Sequence, residues 1–262
     1  MGIVDAVKTF GLSGRDHRIR GVSSAPLSMT HVFVTARADD IGSRAEQQDR
    51  VEILTGPDNA RLLRLVDSLG GHPGAALAAE SFMEPARDFL PLDKTLSDGP
   101  AAYLKQLCLR AHETISSLEP IGAKGPHSTC VCLYIEGGMA AWAHVGDSRL
   151  YHFRNGKLLT RTRDDSLAER LVQSGELTKE EAAFHPSQSH LLASLGGLNQ
   201  PDVHVDEAEL KSGDGFVLCS DGVWANIRAR EMAGGLLQDD LQGAAGLAVQ
   251  RGGAKQITRP WP

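Results

Sequence analysis

Three apolar runs in this chain of 262 residues end in the same way. "LLRLVDSLGG" closes at Asp67, "AAWAHVGDSR" at Asp147 and "FVLCSDG" at Asp221. An unpaired carboxylate is costly in an apolar interior and is kept only with a partner. Each aspartate stands beside Gly or Ser, so any one of them reads first as a loop cap bonding nearby backbone N–H groups. The recurrence admits a second reading, in which neighbouring strands deliver several carboxylates to one edge of the sheets. Such a cluster repels itself unless a cation lies among its oxygens. Hard divalent ions, Mg²⁺ or Mn²⁺, take such ligands.

The pattern along the chain alternates between extended and helical stretches. "MTHVFVTARADDIGSR" reads as a β-rich start followed by a polar loop, "QQDRVEIL" as an extended stretch through Val51, Ile53 and Leu54, and "RLLRLVD" as a short apolar strand. "PGAALAAESFMEPARDFL" reads as a helix starting near its proline. "GPAAYLKQLCLRAHETISSL" reads as a second helix, with Tyr103, Leu104, Leu107, Ala111 and Ile115 on one stripe. Strands return in "STCVCLYIE", "MAAWAHVGD" and "RLYHFRNGKLLTRT", with "EGGM" and "RNGK" as hairpin turns. From Asp164 to about Asn199 the pattern turns helical, "DGFVLCSDG" is a strand, and a glycine-interrupted helical stretch follows from Ile227 to Gln250. This order predicts an α+β protein with stacked sheets flanked by helices. The first 29 residues read as a flexible tail, with Met29 as an alternative start, and 30–262 as one domain.

Bulk properties narrow the function classes. A formal charge of −6 offers no basic footprint for nucleic acid. No stretch approaches the roughly 20 apolar residues of a membrane span, and the N-terminal sequence lacks the order of a secretory signal. The expectation is a cytoplasmic monomer. Cys108, Cys130, Cys132 and Cys219 all sit in apolar surroundings without a C-x-x-C pair, and read as buried small hydrophobes in a reducing compartment, not as zinc ligands.

Flanks and spacing carry a resemblance. "DSLGGH" from Asp67 to His72 is similar to an Asp-Gly-Met-Gly-Gly-His strand end. "GDSR" stands at Gly146 to Arg149, "SDG" at Ser220 to Gly222, and "QQD" ends at Asp49. "TRDDS" and "FHP" stand between them. In this order the motifs resemble the metal-dependent serine/threonine protein phosphatases of the PPM, or 2C, type, over roughly Val32 to Gln250. "HSTCVCLYI" and "WAHVGDSRLYHFR" look most like the bacterial members associated with type VI secretion.

The resemblance implies a four-layer α-β-β-α sandwich of two antiparallel sheets, with 165–199 as a flap insert. It implies two Mn²⁺ or Mg²⁺ ions, with a third, weaker site, and a phosphorylated protein as substrate. Asp67 would bridge two metals, joined by the carbonyl of Ser68, and Asp221 would bind the second. Asp49 would order the surrounding waters, and Asp147 would serve the third site. Arg44 is either a surface charge or a fork for the substrate phosphate. His72 is either a packed histidine at a helix start or the proton donor to the leaving alkoxide. Ser128 and Thr129 read as structural support.

Three departures stand against full activity. The family ends with Asp-Asn-Ile-Thr opening a last apolar strand, and that Asp is a ligand of the second metal. This chain has "AKQITRPWP", with Lys255 and Gln256 at those positions and no Asp or Glu after Asp240. Gln48 replaces an acidic residue and Asp165 replaces a flap histidine. Loss of a ligand costs at least the 10- to 100-fold typical of a lost outer-sphere partner. The alternative is a pseudophosphatase that binds phosphoprotein without turnover.

Overall fold

The computed structural model describes residues 2–11, 31–41, 49–69, 77–83, 98–118 and 125–255. The described residues form the strands β1 Gly2–Gly11, β2 His31–Asp40, β3 Arg50–Thr55, β4 Arg61–Val66, β5 Ser68–Leu69, β6 His127–Ser128, β7 Cys130–Glu136, β8 Met139–Val145, β9 Arg149–Arg154, β10 Lys157–Arg161, β11 His204–Glu209 and β12 Asp214–Cys219. Two five-stranded sheets run in the orders β10-β9-β12-β1-β2 and β11-β8-β7-β4-β3, and every neighbouring pair is antiparallel. Helix α1 (Pro100–Ser116) and a helical stretch at 77–83 cover the second sheet. Helices α2 (Leu167–Gln173) and α3 (Lys179–Ala182) lie between β10 and β11 in sequence. Helices α4 (Asp221–Trp224), α5 (Ala229–Leu236) and α6 (Leu241–Lys255) cover the first sheet. No helix among the described residues is long and apolar enough to cross a membrane.

The expected α-β-β-α order is the observed one, and strand alternation explains it. In β7, Val131, Leu133 and Ile135 face the other sheet, where they meet Val7, Phe216 and Leu218. Cys130, Cys132 and Tyr134 face the opposite way and pack on Leu104, Leu107 and Ala111 of α1. A strand buried on both faces has no polar positions to alternate with, hence its continuous apolar run. All of the predicted stripe on α1 is buried, and all four cysteines are free and buried. Both hairpin turns hold positive φ at their two central residues, Gly137 and Gly138 in one, Asn155 and Gly156 in the other. That twist matches the flanking strands.

The expected tail is corrected over Gly2–Gly11. This segment is β1, a central strand between β12 and β2, while 12–30 lie outside the described residues. Ile3 and Val7 enter the layer between the sheets, and Val4 and Ala6 face α4, α5 and α6. The pattern was hard to read because Asp5 interrupts the inward face. Asp5 is fully buried, and neither carboxylate oxygen has a hydrogen-bond partner among the described residues. Arg37 stands opposite it on β2, but its guanidinium donates to the Val51 carbonyl at 3.0 Å. Burial holds the Asp5 carboxyl well above the usual range, against the attraction of Arg37.

The last strand of the family pattern falls on Gln256 onward, outside the described residues. Lys255 ends helix α6.

A second buried charge is partnered through both of its terminal nitrogens, while its Nε has no hydrogen-bond partner among the described residues. Arg64 on β4 donates to the carbonyls of Phe82 at 2.9 Å and Met83 at 2.8 Å, and pairs with Glu52. It ties the stretch at 77–83 to the sheet.

Asp5→Val is expected to raise the unfolding free energy at pH 7 by about 1–3 kcal/mol, the cost of a buried unsatisfied group. Because the folded carboxyl binds its proton more tightly than the unfolded one, wild-type stability falls as pH rises from about 4 toward the raised folded pKa. Urea titrations at several pH values check this: the gap between the two proteins narrows on acidification.

Candidate metal centre

Register brings the predicted aspartates to one end of the sandwich. In the β3–β4 pair Arg50 stands opposite Val66, so Asp49, just before β3, lies beside Asp67, just after β4. Cys130 stands opposite Val145, which carries the end of β8, and hence Gly146 and Asp147, to the same edge. In the other sheet Cys219 stands opposite Arg149 and Val4, placing Asp221 at the matching end.

The backbone around each aspartate is held. The Asp67 carbonyl accepts from the Thr129 amide at 2.8 Å and the Ser128 hydroxyl at 3.0 Å. The Thr129 hydroxyl meets that of Ser148 at 2.7 Å. Those bonds use the Ser128–Thr129 pair as structural support. Gly146 has φ +97°, and a Cβ there would stand 2.6 Å from Thr129 Cγ2, so the turn before Asp147 needs glycine. Trp224 Nε1 donates to the Asp147 carbonyl at 2.9 Å. The Arg149 guanidinium lies 3.5 Å over the Trp224 ring and forks onto Asp164 at 2.8 and 2.6 Å. These contacts join α4, the β8–β9 turn and the segment after β10.

Asp165, the residue that departs from the flap-histidine pattern, is a second clasp on the same turn. Its amide donates to the Gly146 carbonyl at 2.9 Å, and its carboxylate accepts from the Gly146 amide at 2.9 Å. The other carboxylate oxygen meets His204 Nε2 at 2.8 Å. Sequence inspection missed this link because His204 lies 39 residues away.

The electrostatics show that the carboxylates feel one another. The Asp67 carboxyl is held well above its usual range by burial, then by the charges of Asp49, Asp221 and Asp147. Asp147 is pushed up to about 7 by burial, then by Asp221 and Asp164, with Arg149 opposing. Among the described residues no three His, Cys, Asp or Glu side chains already converge to hold an ion. The two facts are compatible, since charge repulsion reaches over the roughly 8–10 Å of a Debye length whereas ligation needs about 2 Å. A set of hard oxygen donors at mutual electrostatic cost fits a divalent cation. Ser68 is buried beside Asp67, its hydroxyl without a hydrogen-bond partner among the described residues. Arg44, Gln48 and His72 lie outside the described residues.

A groove of about 420 Å³ opens beside the site, between α2–α3 and α4, with Arg149, Phe184, Trp224 and Arg228 on its walls.

Comparison with known proteins agrees with this geometry. Residues 42–245 match the family described as Protein phosphatase 2C, a stretch that includes Asp49, Asp67, Asp147 and Asp221. The serine/threonine protein phosphatase PstP of Mycobacterium tuberculosis is 32% identical over 198 residues, 72% of this chain and 35% of that protein. The chain thus spans about a third of that relative's length. The solved serine/threonine phosphatase of S. agalactiae has a TM-score of 0.66 at 30% identity, covering 82% of this chain and 92% of that one. The catalytic domain of PstP in complex with 2 manganese ions gives 0.64 at 25% identity, covering 96% and 94%. PppA, described as a key regulatory component of T6SS in Pseudomonas aeruginosa, shares the fold with a TM-score of 0.64 at 24% identity, covering 82% and 90%. On this match and this arrangement of strand ends, the chain belongs to the protein phosphatase 2C family.

Proposed function

We propose that the chain hydrolyses phosphoserine and phosphothreonine in proteins, using two Mn²⁺ or Mg²⁺ ions, with a third, weaker site at Asp147. The observation that carries the reading is the Asp67 carboxyl, raised by burial and by the three other aspartates at one end of the sandwich. Bound there, the ions would lower the pKa of a water and neutralise charge on the phosphoryl group.

The chain's own residues hold and orient. Asp67, with the Ser68 carbonyl, and Asp221 are the proposed ligands, and Asp49 orders the waters around them. Trp224 and Asp165 keep the Gly146–Asp147 turn in place. Arg44 is assigned to the substrate phosphate and His72 to protonation of the leaving alkoxide. No protein nucleophile is required; the Ser128 and Thr129 hydroxyls are engaged in hydrogen bonds. The protein is proposed to act as a cytoplasmic monomer. By resemblance, and by the fold shared with PppA, its role is reversal of Ser/Thr phosphorylation that controls type VI secretion.

One observation favours a second reading, phosphoprotein binding with little turnover. Lys255 stands in a helix where the family pattern implies an aspartate opening a strand.

Mn²⁺ titration by calorimetry beside hydrolysis of p-nitrophenyl phosphate and a phosphothreonine peptide separates the two. Catalysis predicts Mn²⁺-dependent turnover that Asp67→Asn and Asp221→Asn each reduce at least about 100-fold, beyond the usual loss for an outer-sphere partner. Binding of Mn²⁺ and phosphopeptide without turnover would establish the second reading. Absence of Mn²⁺ binding by the folded wild type would overturn the catalytic reading and the account of the strand-end aspartates.

The raised carboxyls add a pH signature. Near pH 7 the Asp147 carboxyl, pushed up to about 7, is partly protonated, and a cation must displace that proton; burial and the neighbouring carboxylates push Asp67 in the same direction. Calorimetry in two buffers of different ionisation heat is expected to show net proton release near pH 7, shrinking as pH rises and the carboxyls ionise. Affinity falls on acidification. Without metal, Asp147 stabilises the fold less as pH rises from about 4 to about 7, and the raised Asp67 carboxyl acts with the same sign.

A further inference from the structure

β12 ends at Cys219 and α4 begins at Asp221, so one residue, Ser220, makes the whole transition from strand to helix. Two demands meet there. The ladder between β12 and β1 needs a partner for both the amide and the carbonyl of Ile3. Helix α4 needs a carbonyl just before its first residue to accept its first bonds. Ser220 has one backbone carbonyl, and both demands call on it.

Its hydroxyl resolves the conflict. The Ser220 amide donates to the Ile3 carbonyl at 3.2 Å, an ordinary ladder bond. The Ile3 amide donates at 3.2 Å to Ser220 Oγ instead of to the Ser220 carbonyl. That carbonyl is left to the helix, where it accepts from the Val223 amide at 3.1 Å and the Trp224 amide at 3.2 Å. Ser220 is 0% exposed and Ile3 1%, so water offers no substitute acceptor. β1 also abuts the same turn at Gly2, where a Cβ would stand 3.2 Å from Val223 Cγ2.

Alanine at 220 would leave one acceptor for both claims. Either the Ile3 amide is buried without a partner or the first turn of α4 loosens. Both outcomes move Asp221, the first residue of that helix. They also reach Asp147, through the Trp224 bond to its carbonyl.

We propose that Ser220 is a positioning residue for Asp221 and acts through β1, so that docking of this strand and divalent-cation binding are coupled. The proposal rests on the reading of Asp221 as a metal ligand. It goes beyond that reading by making a strand outside the family-matched stretch of residues 42–245 part of the metal centre's support. Coupling of this kind is reciprocal: whatever β1 docking adds to cation affinity, the cation adds to β1 docking.

The test uses full-length wild type, Ser220→Ala and Ser220→Thr, each titrated with Mn²⁺ by calorimetry at pH 7. Metal-free thermal midpoints and amide hydrogen exchange with and without Mn²⁺ are measured alongside. Ser220→Ala is expected to weaken Mn²⁺ binding roughly 10-fold, the lower end for a lost outer-sphere support. Ser220→Thr, which keeps the hydroxyl, is expected to recover most of it. In wild type, Mn²⁺ is expected to slow exchange at Ile3 and Val4 more than at Val131 in β7, and Ser220→Ala is expected to lose that excess. A lower midpoint with wild-type Mn²⁺ affinity in Ser220→Ala would overturn the proposal, since the hydroxyl would then be a structural bond alone. If Ser220→Ala does not fold, the wild-type exchange decides, and no excess slowing at β1 overturns the coupling. Wild type that binds no Mn²⁺ would sink the metal reading itself, and the proposal with it.

Discussion

Repulsion among the aspartates at one end of the sandwich is the constraint the rest of the molecule answers. Asp67 carries the field of Asp49, Asp221 and Asp147 in a place where solvent screens little. No local segment would keep such charges together. They are held because each ends or begins a strand whose side chains are committed elsewhere, in three apolar layers of the sandwich. Pulling one carboxylate away would drag its strand out of register, and a slip of one residue would turn the strand's apolar face outward.

The two sheets contribute unequally. Asp49, Asp67 and Asp147 come from strands of one sheet and Asp221 from the other. The centre therefore depends on what fixes the sheets relative to each other at that end. Part of the answer is dispersion and burial between the inner faces. The other part is directional: the Trp224 bond to the Asp147 carbonyl, Arg149 stacked on the same indole, and its fork onto Asp164. Burial alone tolerates small sliding; these hydrogen bonds do not.

Much of this was legible in the sequence. The runs ending at Asp67, Asp147 and Asp221 announced strand ends, the stripe from Tyr103 to Ile115 announced a buried helix face, and "EGGM" and "RNGK" announced tight turns. Those signals are local, because periodicity and turn chemistry act over a few residues. β1 escaped because Asp5 stands where its inward face wants an apolar side chain, and because no motif marks it. The role of Asp165 escaped for another reason. In sequence it is a departure from a pattern, and only in the fold is it seen to clasp Gly146 on one side and His204 on the other.

The sequence by itself determined the elements, the faces they bury and the residue types that end the strands, since these follow from side-chain period and backbone preference. Tertiary structure alone decided which strand stands between β12 and β2 in the first sheet and how Asp221 is held. The Ile3 amide and the Ser220 hydroxyl are 217 residues apart along the chain. A bond across that separation has no local signature. It forms because the buried Ile3 amide must find a partner, and the packed sheets place the Ser220 hydroxyl beside it.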